Sequence, residues 1–185
     1  MATFVPRTEA PATSNLYYIK RNDTFHGYNR CIIMNRDNGS VLPNCTGYAW
    51  GRFCECQTGV TDCKLSRANA ELWYGHTSDG YDRGFTPKLG AVICWSSTRS
   101  GGHVEIVEEI LADGRIKCSS SAYKGKRFFM ETLKPPLYKR GSSYTFQGFI
   151  YNPTDFDNNP PTPEDKKKRK NFPFVLYARK LRGKY

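Results

Sequence analysis

Apolar positions in this chain change their spacing once, and the change divides it into two kinds of element. Over residues 45–55 the bulky groups Tyr48, Trp50 and Phe53 lie at helical spacing. Asn44 supplies a capping side chain and Pro43 ends the loop before it, so a helix is predicted over 45–55. Gly47 and Gly51 stand one turn apart on that helix, where each costs about 1 kcal/mol relative to alanine. Their small face is expected to receive another element at close range. A second helix is predicted over 66–74, opened by Ser66, stapled by Leu65 on Ala70 and closed at Gly75.

From residue 91 onward the apolar groups come in short runs separated by turn residues. The runs 91–95, 103–110, 115–121, 128–133 and 144–151 are read as strands. Asp113-Gly114 marks a hairpin between the second and third of them. Helices first and an antiparallel run of strands afterwards predict an α+β domain over 15–153. Residues 1–14 are rich in Pro, Thr and Ala and are expected to be a flexible N-terminus. Residues 154–171 read as a Pro-rich and basic linker, and 172–185 as a basic, aromatic tail that docks back as a strand or waits for a partner. No internal repeat is present.

Composition narrows the function classes. A chain of 185 residues buries a full core, and its mean hydropathy is −0.64. No stretch approaches the roughly eighteen apolar residues of a membrane span, and the start has no apolar signal region. Lys and Arg number 28 against 17 Asp and Glu, a formal net charge of +11, which favours anionic partners in general. With 7 cysteines, complete pairing within one chain is impossible. The absence of a signal predicts synthesis in a reducing compartment, with Cys31, Cys54, Cys56, Cys63, Cys94 and Cys118 as thiols.

Cys45 stands apart from these six. It opens a helix, where the positive end of the dipole favours a thiolate. His103 follows Gly101-Gly102 at the mouth of a strand, where it can act as the base a thiol needs. Cysteine before histidine, on helix then strand, is the chain order of papain-like cysteine hydrolases. Asn44 to Arg52, Ser66 to Tyr74, Thr86 to Trp95, Gly102 to Ile110 and Tyr144 to Pro153 together resemble the CHAP family, the cysteine, histidine-dependent amidohydrolase/peptidases. The likeness is strongest to the lysins of phages of Gram-positive bacteria, and it covers roughly residues 16–153.

The resemblance implies a papain-like fold and hydrolysis of an amide bond in peptidoglycan, as an amidase or an endopeptidase. It implies Cys45 as nucleophile, His103 as general base and the Cys45 amide as oxyanion donor. A phage lysin would be made in the host cytoplasm and reach the wall through a holin, acting as a monomer without a cofactor. Family members usually hold the imidazole with Glu, Asn or Asp on the next strand. Counting across the hairpin puts Ser120 there, which brings no charge. Glu105, two residues from His103 on the same strand face, is the alternative orienter. Glu108 and Glu109 are read as surface charges or ion-pair partners.

Other constellations are weaker. His26 and His76 read as loop residues. Cys54-x-Cys56 with Cys63 and His76 lacks the usual zinc spacing, and Asp23 and Asp37 are too sparse for calcium, so no metal is expected. The basic run 166–170 has no interleaved aromatics for stacking nucleic acid. It suits anionic wall polymers better. The readings that remain are a thiol peptidoglycan hydrolase and, because Ser120 is not an acid, a wall-binding module with a decayed site.

Overall fold

In the computed structural model, which describes residues 2–157, helix α1 spans Cys45–Glu55. Asn44 Oδ1 accepts the Gly47 amide at 2.7 Å and the Thr46 hydroxyl at 2.5 Å. It thereby satisfies a first-turn donor that the helix cannot pair internally. Every residue from Cys45 to Cys54 is buried. Gly51 shows how a helix is enclosed so fully. A Cβ at that position would stand 2.5 Å from the Tyr17 carbonyl oxygen and 3.0 Å from the Tyr18 ring. The small face predicted from the glycines is where residues 17 and 18 press on the helix backbone. Asn29 fixes the arrangement by donating to the carbonyls of Tyr17 and Gly47, at 2.7 and 2.9 Å.

Behind the helix stands one antiparallel sheet. Its strands are β1 (Arg83–Gly84), β2 (Val92–Ser97), β3 (His103–Ile110), β4 (Ile116–Ser120), β5 (Phe129–Leu133) and β6 (Tyr144–Ile150), in the order β1-β6-β2-β3-β4-β5. Side chains alternate between faces along a strand. Val92, Cys94, Val104, Ile106 and Ile150 accordingly pack with α1. Ile93, Trp95, Val107, Ile116, Cys118 and Phe149 form a second core on the other face, closed by Tyr138. Burial on both faces explains why these strands read as nearly continuous apolar runs. The fold is α+β and papain-like, with the cysteine-bearing helix packed on the histidine-bearing sheet.

Two expectations need correction. The helix predicted over 66–74 is a single 3-10 turn, Ala70–Leu72. Its backbone groups are used elsewhere: the Glu71 amide donates to the Gly101 carbonyl at 2.9 Å, and the Trp73 indole donates to the Ala68 carbonyl at 3.0 Å. Ser66 Oγ accepts from the Ala68 amide, a local turn in place of a helix cap. The start of the chain is docked rather than loose. Phe4 is buried with its ring 4.9 Å from Phe156, and the Ala2 amide donates to the Asp155 carbonyl. The tail, and the linker beyond residue 157, lie outside the described residues.

Candidate active site

Gly102 sets the position of His103. Its φ is +79°, and a Cβ would lie 2.5 Å from both the Glu71 nitrogen and the Trp95 oxygen, so only glycine passes through this turn. His103 then opens β3 opposite Trp95. Its imidazole is buried among three rings, with centroids 6.1 Å from Trp95, 6.3 Å from Phe129 in a stacked pose, and 6.4 Å from Tyr144 edge-on.

Both orienting residues expected from sequence meet the same nitrogen. His103 Nε2 is 3.0 Å from Glu105 Oε1 and 3.3 Å from Ser120 Oγ. The Ser120 hydroxyl also donates to the Val104 carbonyl at 3.0 Å, so its proton has a partner already. Glu105 is the nearer and the charged one. The contact puts a proton on Nε2 and leaves the Nδ1 lone pair as the one available to a thiol.

Cys45 reaches this corner from the helix side. Its side chain is nearly buried, with 9% of the residue exposed. The Asn44 amide donates to Ser121 Oγ at 3.0 Å, and the Tyr48 hydroxyl to Ser119 Oγ at 2.8 Å. Alternation along the end of β4 thus sends Ser119 and Ser121 to α1 and Ser120 to the imidazole. Among the described residues Cys45 and His103 share no hydrogen bond. They are fixed on separate elements joined through these serines. The Cys45 amide is one of the first-turn donors without an intrahelical acceptor, which leaves it free for an oxyanion.

Glu105 is fully buried, and burial raises its carboxyl above the usual range. Arg140 Nε donates to its Oε1 at 3.1 Å and to Glu131 Oε1 at 2.9 Å. Sequence reading found neither Glu131, which comes from the edge strand β5, nor Arg140, which comes from the loop that leads to β6. It left Glu108 as a surface charge or an ion-pair partner, and the structure shows the second, with the pair buried. Glu108 is 1% exposed and bidentate to Arg52, with both contacts at 2.9 Å. The signal was present in β3 itself: an acid within a strand buried on both faces needs a buried cation. Glu109 pairs with Lys117 at 2.9 Å.

All seven cysteines are free thiols. Burial pushes those of Cys31, Cys63, Cys94 and Cys118 up, and that of Cys56 to about 12. The Cys54 thiol donates to the Val60 carbonyl at 3.3 Å and the Cys63 thiol to the Trp50 carbonyl at 3.6 Å, and His76 Nε2 meets Ser78 Oγ at 3.2 Å in its loop. Among the described residues no three metal-ligating side chains are grouped as a site.

Residues 35–122 match the family model of the CHAP domain. A probable autolysin, LDP, of Staphylococcus aureus is 35% identical over 103 residues, spanning 54% of this chain. The chain covers about a third of that relative's length, 34%. The crystal structure of an N-acetylmuramoyl-L-alanine amidase from Staphylococcus aureus is similar at 22% identity and a TM-score of 0.44, over 62% of this chain and 34% of that one. At that level the likeness adds nothing to the fold, which stands on the family match and the sheet. The matched segment, which is similar to the CHAP domain, contains α1, Cys45, His103, Glu105 and Ser120.

Proposed function

We propose that the protein is a peptidoglycan hydrolase that cuts an amide bond through a Cys45 thioester. The observation that carries this reading is the buried carboxylate of Glu105 on His103 Nε2, 3.0 Å away, within a CHAP-like segment whose helix begins at Cys45. His103 takes the Cys45 proton, and the thiolate adds to the scissile carbonyl carbon. The Cys45 amide receives the oxyanion as the C–N bond breaks. The imidazolium then protonates the leaving amine, and water, deprotonated by the same imidazole, releases the acid and restores the thiol.

In this reading Glu105 is the orienter, and Ser120 adds a second, uncharged contact. The decayed-site alternative rested on the missing acid at Ser120, and Glu105 supplies a carboxylate from the neighbouring position. The net charge of +11 holds the enzyme near anionic wall polymers. The further assignment, an endolysin made in a host cytoplasm and released through a holin, is part of the same proposal.

Purified Gram-positive walls test it. Wild-type protein is expected to release new amino groups, and Cys45→Ala to release none above background, a loss of at least about 10³-fold. Equal release by both proteins excludes the thiol mechanism. Tight wall binding without release by either one is the outcome that favours the binding module.

A further inference from the structure

Glu105 has one acceptor without a donor. Oε1 takes His103 Nε2 at 3.0 Å and Arg140 Nε at 3.1 Å, whereas Oε2 is buried with no hydrogen-bond partner. Across β4, Glu131 on β5 stands on the same face of the sheet as Glu105. The same Arg140 Nε–H reaches Glu131 Oε1 at 2.9 Å. One guanidinium is therefore shared between two carboxyls. It lies over the rings of Tyr144 and Phe129, 5.3 and 5.7 Å from their centroids. Those rings are also the ones that flank the imidazole. Glu131 and Arg140 both lie outside the segment 35–122 that matches the family.

We propose that Glu131 and Arg140 are positioning residues that act on His103 through Glu105: Arg140 fixes the carboxylate against Nε2, and the proton held or released by Glu131 sets the negative charge behind the imidazolium. The proposal rests on the reading of Cys45 and His103 as the reacting pair. Its chemistry is a single proton transfer to or from solvent at Glu131. With Glu131 protonated, the two carboxyls together carry one negative charge against Arg140. With Glu131 ionised they carry two, and the imidazolium becomes more favourable.

Other groups around the cluster leave this balance to the two carboxyls. From β4 come Ser120 and Cys118, whose thiol burial keeps neutral, and β2 contributes Trp95. From β6 comes Tyr144. Burial opposes the charge on Arg140, but Glu105 and Glu131 together hold it firmly protonated. Burial first, and Glu105 second, push the Glu131 carboxyl up to about 7, which places the change of charge near neutrality.

Glu131→Gln keeps the shape and a donor but cannot ionise, so it mimics the protonated state. Two curves are measured on the full chain between about pH 5.5 and 9: the rate of Cys45 alkylation by iodoacetamide, and the NMR titration of the His103 ring in a Cys45→Ala background. In wild type both are expected to carry an inflection near pH 7. In Glu131→Gln that inflection disappears, and the imidazolium limb moves down by about half a pH unit, roughly a threefold slower alkylation on its alkaline side. Glu131→Asp is expected to restore an inflection.

Curves for Glu131→Gln that superimpose on wild type overturn the proposal. So does wall hydrolysis lowered equally at every pH with an unchanged His103 titration, the result of a merely structural role. If Cys45 labels slowly and walls stay intact even in wild type, the enzymatic reading fails by itself. The His103 titration in Cys45→Ala protein still decides the role of Glu131.

Discussion

Two arginines in this molecule each sit between two glutamates, and each draws one of those glutamates from β3. Arg52 holds Glu108 with two bonds of 2.9 Å and Glu55 with one of 3.2 Å. Every oxygen of Glu108 is answered: Oε1 also accepts Ser119 Oγ at 2.7 Å, and Oε2 the Arg7 amide at 2.8 Å. Glu55 takes Arg7, Asn15 and the Tyr18 hydroxyl as well. Burial opposes its charge, yet Arg7 and Arg52 hold its carboxyl below the usual range. The Arg140 cluster also joins two glutamates, but through a single arginine, and it has one donor too few. Glu105 Oε2 is unanswered, and the carboxyls of Glu105 and Glu131 are both raised. A saturated ionic cluster locks its charges and braces the fold, whereas an unsaturated one keeps a proton in play near neutral pH.

The largest expected break in this comparison is Arg52→Met. It strands the fully desolvated Glu108 and releases the segment around Arg7, so unfolding in urea should show a loss of about 3–5 kcal/mol. Alkylation of Cys45, taken per folded molecule, should barely change. Glu105→Gln should behave in the opposite way. A neutral amide relieves a buried charge, so stability holds or rises, while wall hydrolysis falls on the order of 10²-fold because imidazolium loses its counter-charge. Ser120→Ala removes only the neutral contact and should lower turnover by about fivefold or less, near 1 kcal/mol. If Glu105→Gln and Arg52→Met both destabilise alike and neither alters turnover, the two clusters have one job and the contrast drawn here is wrong.

How much of this was readable beforehand follows from sequence separation. The helix over 45–55 was legible because its cap, its bulky face and its glycines are all local. The strands were legible because their runs are broken by turn residues, and even the Asp113-Gly114 hairpin closes as expected, with the Gly114 amide donating to the Leu111 carbonyl at 2.9 Å. That hairpin count also brought Ser120 to the imidazole, and the period of two brought Glu105 there. The segment 66–74 misled because its helical propensity yields to a tertiary bond, Glu71 to Gly101. Glu108 was legible as an ion-pair partner but not as a buried one, because an acid in a strand signals the surface unless its buried cation is known. Arg52 lies one helix turn from the end of α1, and nothing local ties it to β3. Arg140 and Glu131 were out of reach for a related reason. They meet Glu105 only through the register of β4 on β5, in which Cys118 faces Glu131, and through the course of the loop that leads to β6.

The smallest effect is the sharpest test of the contrast, because the two clusters predict opposite slopes of stability against pH. Glu55 is lowered in the fold, so the stability it contributes is present above its ordinary value of 4.5 and is lost as pH falls through the folded value. Glu131 is raised from 4.5 to about 7, so its contribution is full below 4.5 and is lost as pH rises toward 7. Its side chain is 31% exposed, and solvent screening reduces the effect to about 1 kcal/mol or less. Glu131→Gln should therefore leave the acid limb of the stability curve unchanged, since that belongs to the Arg52 cluster. It should remove the decline between about pH 5 and 8 and make the variant the more stable protein at pH 8, by about that 1 kcal/mol or less. Parallel curves for wild type and variant across that range would mean that Glu131 ionises without resistance, and that the Arg140 cluster is as settled as its counterpart on Arg52.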